Sequence, residues 1–188
     1  MVSSQGKVRI IGGYWRSRVI TFPARSDLRP TPDRVRETLF NWLGQDLSGM
    51  HCLDLFSGSG VLGFEAASRG AAQVVMVESD NIVFQALRKN REALKAGHID
   101  LVNMNALTFL AADRRQFDLV FLDPPYRLEL LPDILSQLSS RLSKSGQVYI
   151  ESDQHCIFDE QWRVRRKGKA GKVNYQLLKL SLKGEQHG

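Results

Sequence analysis

The chain has 188 residues, 43% hydrophobic and 24% charged, an ordinary globular composition of single-domain length that excludes a wholly disordered chain, a collagen and a coiled coil. Its net charge of +6 is concentrated at the ends: residues 1–40 and 155–188 each hold eight basic and three acidic residues, while residues 41–154 hold ten basic and fourteen acidic. An acidic body with two basic ends favours a polyanionic partner, nucleic acid being the commonest large one, over charge that serves solubility alone.

In chain order, Lys7 to Gly13 and Arg18 to Phe22 read as two short strands of an N-terminal hairpin. Leu28-Arg29-Pro30-Thr31-Pro32 is a stiff linker, with Thr31 suited to cap a helix and Pro32 to its first position. That helix runs on through Val35, Leu39, Trp42 and Leu43, apolar at helical spacing. From residue 50 strands and helices alternate. Strands are expected at Cys52 to Phe56, Gln73 to Glu78, Ile99 to Val102, Phe117 to Leu122 and Gln147 to Ile150. Helices are expected at Leu62 to Arg69, Asn81 to Ala96 and about Leu130 to Leu142. Such alternation implies an α/β fold, a parallel sheet with helices on both faces. Trp162 to Arg166 and Val173 to Leu180 are strands joined by only Lys167 to Lys172, and so short a link makes an antiparallel hairpin.

In an open α/β sheet ligands sit beyond the carboxyl ends of the strands, so the residues that follow each strand carry the argument. Asp54-Leu55-Phe56-Ser57-Gly58-Ser59-Gly60-Val61-Leu62-Gly63 joins the first of these strands to its helix. Gly58 and Gly60 permit a sharp turn and close approach by a ligand. Glu78, followed by Ser79, ends the next strand, where a carboxylate can take both hydroxyls of a ribose. Gly58, Gly60 and Gly63 also match a dinucleotide fingerprint, so NAD and an empty tight turn are rival readings of the loop. Asp54 weighs against NAD, because a carboxylate repels a pyrophosphate and attracts a ligand with an amino group. S-adenosylmethionine carries an ammonium for Asp54 and a ribose for Glu78, and Asn105-Ala106 after the third strand could face its adenine.

Asp123-Pro124-Pro125-Tyr126 follows the fourth strand. The prolines stop the ladder and stiffen the backbone. The exocyclic amine of a base is a poor nucleophile, its lone pair delocalised into the ring. Hydrogen bonds from it to Asp123 and to the Pro124 carbonyl would favour a tetrahedral nitrogen, and Tyr126 would stack on the flipped base.

This ordered set, Asp54…Gly58-x-Gly60, Glu78, Asn105-Ala106 and Asp123-Pro124-Pro125-Tyr126, resembles the class I S-adenosylmethionine-dependent amino-methyltransferases. Arg9-Ile10-Ile11-Gly12-Gly13, the run Leu28 to Asn41, Phe56-Ser57-Gly58-Ser59-Gly60 and Ser68-Arg69-Gly70-Ala71 resemble the RsmD family over about residues 7–180. The Asp-Pro-Pro-Tyr element is shared with DNA adenine methyltransferases; the Arg-Pro-Thr helix is more specific. The resemblance implies a Rossmann-like, mostly parallel seven-stranded sheet with a C-terminal antiparallel hairpin. It divides the chain into a basic β-hairpin extension, residues 1–27, and a methyltransferase domain, 28–188. It implies methylation of the exocyclic N2 of one guanine in bacterial small-subunit ribosomal RNA, within an assembled or partly assembled subunit. Asp54, Phe56, Ser57, Gly58, Gly60, Glu78, Ser79, Asn105, Ala106 and Thr31 are then the cofactor residues, and Asp123, Pro124, Pro125 and Tyr126 the catalytic ones. A DNA adenine-N6 methyltransferase and a non-catalytic RNA-binding assembly factor are the rival functions.

For substrate RNA the candidates are Arg9, Trp15, Arg16, Arg18, Arg34, Arg36, Arg165, Arg166 and Lys169. Trp15 among arginines suits either RNA contact or the core. His51, His98, His155 and His187 lack metal-ligand spacing, so no metal is expected. Cys52 and Cys156 make no disulfide framework. With no apolar run of about 18 residues and no apolar signal core, the expected setting is the cytoplasm, away from membranes, and the expected state a monomer.

Overall fold

The computed structural model describes residues 5–124, 130–153 and 156–181. β1 (Gln5–Arg9) and β2 (Val19–Pro23) form an antiparallel hairpin, followed by α1 (Asp33–Leu43). β3 (His51–Asp54), α2 (Val61–Ser68), β4 (Gln73–Glu78), α3 (Asn81–Leu94) and β5 (Ile99–Asn103) come next. Then follow α4 (Ala106–Ala112), β6 (Phe117–Leu122), α5 (Leu131–Leu138), β7 (Leu142–Ser152), β8 (Trp162–Ala170) and β9 (Val173–Leu180). The main sheet has seven strands in the order β5-β4-β3-β6-β7-β9-β8, parallel from β5 to β7 and antiparallel at β9 and β8. Winding reverses at β3, which has β4 on one side and β6 on the other, and a crevice opens there.

Alternation along each strand divides the core between the two faces of the sheet. Cys52, Val74, Met76 and Leu119 pack on one face with α1 and α2. Leu53, Val75, Val77 and Val120 pack on the other with α4 and α5. Strands buried on both faces are why β3, β4 and β6 read as continuous apolar runs.

Several sequence expectations change: the strand expected from Cys52 ends at Asp54, the helix expected after residue 130 ends at Leu138, and the strand expected from Trp162 runs on to Ala170. α4 was absent from the pattern: it is a short helix nucleated by Asn105, whose side-chain oxygen accepts from the N–H groups of Leu107 (2.9 Å) and Thr108 (3.5 Å). β7 starts at Leu142, not Gln147, because the turn after α5 leads straight into the ladder beside Phe117. Thr31 does not cap α1; Pro32 occupies the N-cap and the Thr31 hydroxyl is used elsewhere.

The N-terminal hairpin shares the main core through Ile10, Trp15 and Ile20. Its loop docks on the end of α2, with the Tyr14 N–H donating to the Ser68 carbonyl at 2.7 Å. Gly13 permits that approach: a Cβ there would lie 1.9 Å from the Ser68 carbonyl oxygen, at a φ of +74°. Trp15 is therefore a core residue and not an RNA contact. Only 6% exposed, it stacks on His98 at 5.7 Å between ring centroids, and its backbone N–H donates to Ser68 Oγ.

Arg36 also leaves the set of RNA contacts. It is fully buried, paired with the equally buried Glu65 at 2.6 Å and with Asp33, and donates to the carbonyls of Thr31 (3.0 Å) and Arg9 (2.9 Å). Arg69 meets the other oxygen of Glu65 at 3.2 Å and lies over the Phe40 ring. A buried charge needs such partners, and these tie hairpin, linker, α1 and α2 together.

Candidate active site

Beyond the carboxyl ends of β4, β3, β6 and β7 lies a cleft of about 600 Å³, within the range of small-molecule sites. Its walls are the linker from Arg25 to Pro32, the glycine loop, and Lys172-Val173 at the β8–β9 turn. Its floor follows a simple rule: four neighbouring strands each end in a carboxylate that lines it, Glu78 from β4, Asp54 from β3, Asp123 just past β6 and Glu151 from β7.

The first two are held by backbone. Glu78 Oε2 accepts the Gly58 N–H at 3.0 Å and Oε1 the Asp80 N–H at 2.8 Å. Asp54 is 3% exposed, and its Oδ2 accepts the Gly63 N–H at 3.1 Å. Burial pushes its pKa up to about 7, the Gly63 hydrogen bond opposes the shift, and the charges of Glu78 and Glu151 add to it. Gly60 forms the N-cap of α2 at a φ of +81°, where a Cβ would lie 2.5 Å from Leu87 Cδ2. Ser57 and Ser59 are buried in this loop, and Phe56 and Ser79 line the cleft beside it.

The other two carboxylates lie on the β6–β7 side of the cleft. Asp123 opens to the cleft, but the protein packed around it strips away much of its water. Burial first, then the charges of Glu151 and Asp54, raise its pKa well above the carboxylate range. Glu151 is 6% exposed, and its Oε1 accepts from Thr31 Oγ1 at 2.6 Å and Tyr149 Oη at 3.0 Å. Burial raises its pKa while those two hydroxyls lower it. Pro124 lines the cleft next to Asp123. Pro125 and Tyr126 lie outside the described residues.

Most of the expected cofactor residues thus meet: Asp54, Phe56, Ser57, Gly58, Glu78, Ser79 and Thr31 all line the cleft, with Gly60 shaping its turn. Thr31 reaches it with its hydroxyl committed to Glu151. Asn105 and Ala106 do not line it. The Asn105 side-chain oxygen caps α4 and Ala106 is buried within that helix. The sequence reading missed Glu151 and Tyr149. The rule that singled out Asp54 and Asp123 applies to Glu151 as well, since it follows the strand Gln147 to Ile150. It also missed Arg25, which spans the cleft mouth to Asp80 at 2.6 Å.

Of the basic residues expected to meet RNA, Arg9, Arg16, Arg18 and Arg34 are exposed around the N-terminal side, and Arg165, Arg166 and Lys169 are exposed along the edge strand β8. A shallow groove lined by Lys7, Arg9 and Val19 reaches Pro30, Thr31 and Pro32, which also border the cleft. Tyr14, 91% exposed beside Arg16, offers the surface aromatic that Trp15 does not.

A sheet wound about β3, a glycine turn held by Asp54 and Glu78, and an Asp-Pro step on the adjoining strand define a class I methyltransferase. A family model described as Conserved hypothetical protein 95 matches residues 8–179. The chain is 43% identical over 188 residues to Ribosomal RNA small subunit methyltransferase D of Escherichia coli (strain K12), covering 97% of this chain and 95% of the relative. It is 40% identical over 183 residues to the protein of the same name in Haemophilus influenzae, covering 93% and 95%. The solved structure of yhhF from Escherichia coli superposes with a TM-score of 0.85 at 44% identity, covering 93% of this chain and 98% of that one. The chain belongs to this family, the RsmD family.

Proposed function

We propose that this chain methylates the exocyclic N2 of one guanine in bacterial small-subunit ribosomal RNA, using S-adenosylmethionine, and that it works as a monomer in the cytoplasm on an assembled or partly assembled subunit. The observation that carries the reading is the row of carboxylates, with Asp123 set across the switch point from Asp54.

The donor set fits S-adenosylmethionine. Asp54 offers a buried carboxylate to an ammonium group, and the fixed carboxylate of Glu78 offers acceptors to a ribose diol. When bound, S-adenosylmethionine supplies a methyl group on a positive sulfur. The chain's own residues do the rest. Asp123 and the Pro124 carbonyl accept hydrogen bonds from the base amine and hold its nitrogen toward the cofactor half. Methyl transfer makes an N–C bond, breaks the C–S bond and leaves a proton to be shed from nitrogen, which Asp123 is placed to receive. Tyr126 stacks on the flipped base. Positioning and exclusion of water supply most of the acceleration. Arg16, Arg18 and Tyr14 on one side, and Arg165, Arg166 and Lys169 on the other, give the RNA phosphates and bases a basic, aromatic border.

The test is nucleoside mass spectrometry on unmethylated small subunits incubated with the protein and S-adenosylmethionine. A gain of N2-methylguanosine is expected. A gain of N6-methyladenosine would overturn the choice of base, and no gain with the cofactor bound would overturn the choice of substrate.

A further inference from the structure

Glu151 has no part in holding the cofactor half, and nothing in the methyl-transfer step requires it. It is nonetheless the most deliberately held carboxylate on the substrate side. Thr31 and Tyr149 both donate to its Oε1, while its Oε2 accepts no hydrogen bond among the described residues. Thr31 is itself 4% exposed and fixed through its carbonyl by the buried Arg36. Both donors favour the ionised form of Glu151 against the burial that raises its pKa, and in that form Oε2 is an acceptor that cannot donate.

In the sheet, β7 lies next to β6 on the side away from β3. Glu151 therefore follows Asp123 in the row, on the far side from Asp54 and Glu78. A base whose amine is held at Asp123 would present its neighbouring ring position to the next carboxylate. In guanine the ring nitrogen beside the amine on the Watson–Crick edge is N1–H, a donor, while N3 on the other side of the amine is a bare acceptor. In adenine and cytosine it is a bare lone pair, which an ionised carboxylate repels.

We propose that Glu151 selects guanine by accepting a hydrogen bond from its N1–H while Asp123 holds the N2 amine. This rests on the methyl-transfer reading above and adds to it the residue that sets the choice of base. A flipped base read on its Watson–Crick edge is discriminated by matching donors to acceptors, and a mismatch leaves a buried polar group unpaired. Thr31, Tyr149 and Arg36 are then positioning residues that aim the carboxylate.

The test compares guanosine with 2-aminopurine riboside, which keeps the amine but has a bare N1. Unmethylated small subunits are reconstituted with either nucleoside at the modified position, and single-turnover methyl transfer is measured with the full chain. The two bases also differ at O6, so the readout is the change in preference between wild type and Glu151→Gln. In the variant the amide oxygen still accepts from Thr31 and Tyr149, and the amide N–H₂ takes the place of Oε2. The preference for guanosine is expected to narrow by about tenfold or more, moving toward 2-aminopurine. Thr31→Val, which loosens the aim and keeps the charge, should narrow it less, and it decides the matter if melting shows that Glu151→Gln does not fold. Equal slowing on both bases, with preference unchanged, would overturn the inference and leave Glu151 a scaffold or proton acceptor. No transfer to guanosine by the wild type would instead mark failure of the underlying reading.

Discussion

The two halves of the cleft floor are built from the same residue type and differ in what holds it. Glu78 and Asp54 take N–H groups from the glycine loop and from α2; each is fixed by the backbone of the turn that it shapes. Asp123 has no such partner among the described residues and opens to the cleft, and Glu151 is aimed by two side-chain hydroxyls from β7 and the N-terminal linker. The Asp54–Glu78 half is thus a local product of one strand–helix–strand unit, β3 to β4. The transfer half depends on a long-range contact between residues 31 and 151, and so on the N-terminal region staying docked.

The largest break in this comparison is Asp123→Ala. Turnover should fall about a hundredfold to ten-thousandfold, as for loss of a group that holds and deprotonates the reacting centre, while calorimetric titration finds the cofactor still bound. Single-turnover rates equal to wild type would remove Asp123 from the reaction.

Arg36→Met should cost about 3–5 kcal/mol of stability in urea unfolding, because it leaves Glu65 buried with one partner fewer. Turnover of the folded fraction should fall as well, since the Thr31 carbonyl loses its donor. A cost under about 1 kcal/mol, the range of surface pairs, would show that water reaches this network.

Glu78→Gln acts on the other half. It should weaken cofactor binding by about tenfold to a hundredfold, the worth of hydrogen bonds to a charged group, and raise the cofactor KM more than it lowers kcat. A variant with normal cofactor affinity would mean that the loop, and not the carboxylate, makes the site.

The smallest effect is in pH. Asp54 is raised to about 7 by burial, and a ligand with an ammonium group favours its ionised form. Below that value the group must give up a proton on binding. Cofactor affinity should therefore be lower at pH 6 than at pH 8 by about tenfold for one such group, with proton release visible as a buffer-dependent binding enthalpy. The same dependence should persist in Glu78→Gln, because it belongs to Asp54. A flat profile would place the cation elsewhere.

How much of this was legible depended on how far apart the partners sit in the chain. β4, β6 and β9 begin and end where their apolar runs do, since a strand buried on both faces leaves little freedom at its ends. Asp54, the glycine turn, Glu78 and Asp123 could be placed because each directly ends or follows such a run. The capping role of Asn105 was not legible because an asparagine after a strand serves a ligand or a helix cap equally well, and a seven-residue helix gives little periodicity to reveal the cap. The basic ends carry equal charge but different uses: Arg36 is fully buried in an ion-pair network, whereas Arg165 and Arg166 stand exposed on an edge strand.

By itself, then, the sequence determined the α/β alternation and the acidic and glycine residues that punctuate it, because these follow from local periodicity and turn chemistry. Only the tertiary structure decided which residues share a surface. It put Trp15 against His98, Arg36 against Glu65 and Thr31 against Glu151, pairings that span 29 to 120 residues. Such pairs are set by sheet order and by the requirement that every buried charge find a partner, a condition on the whole fold that no local stretch of sequence expresses.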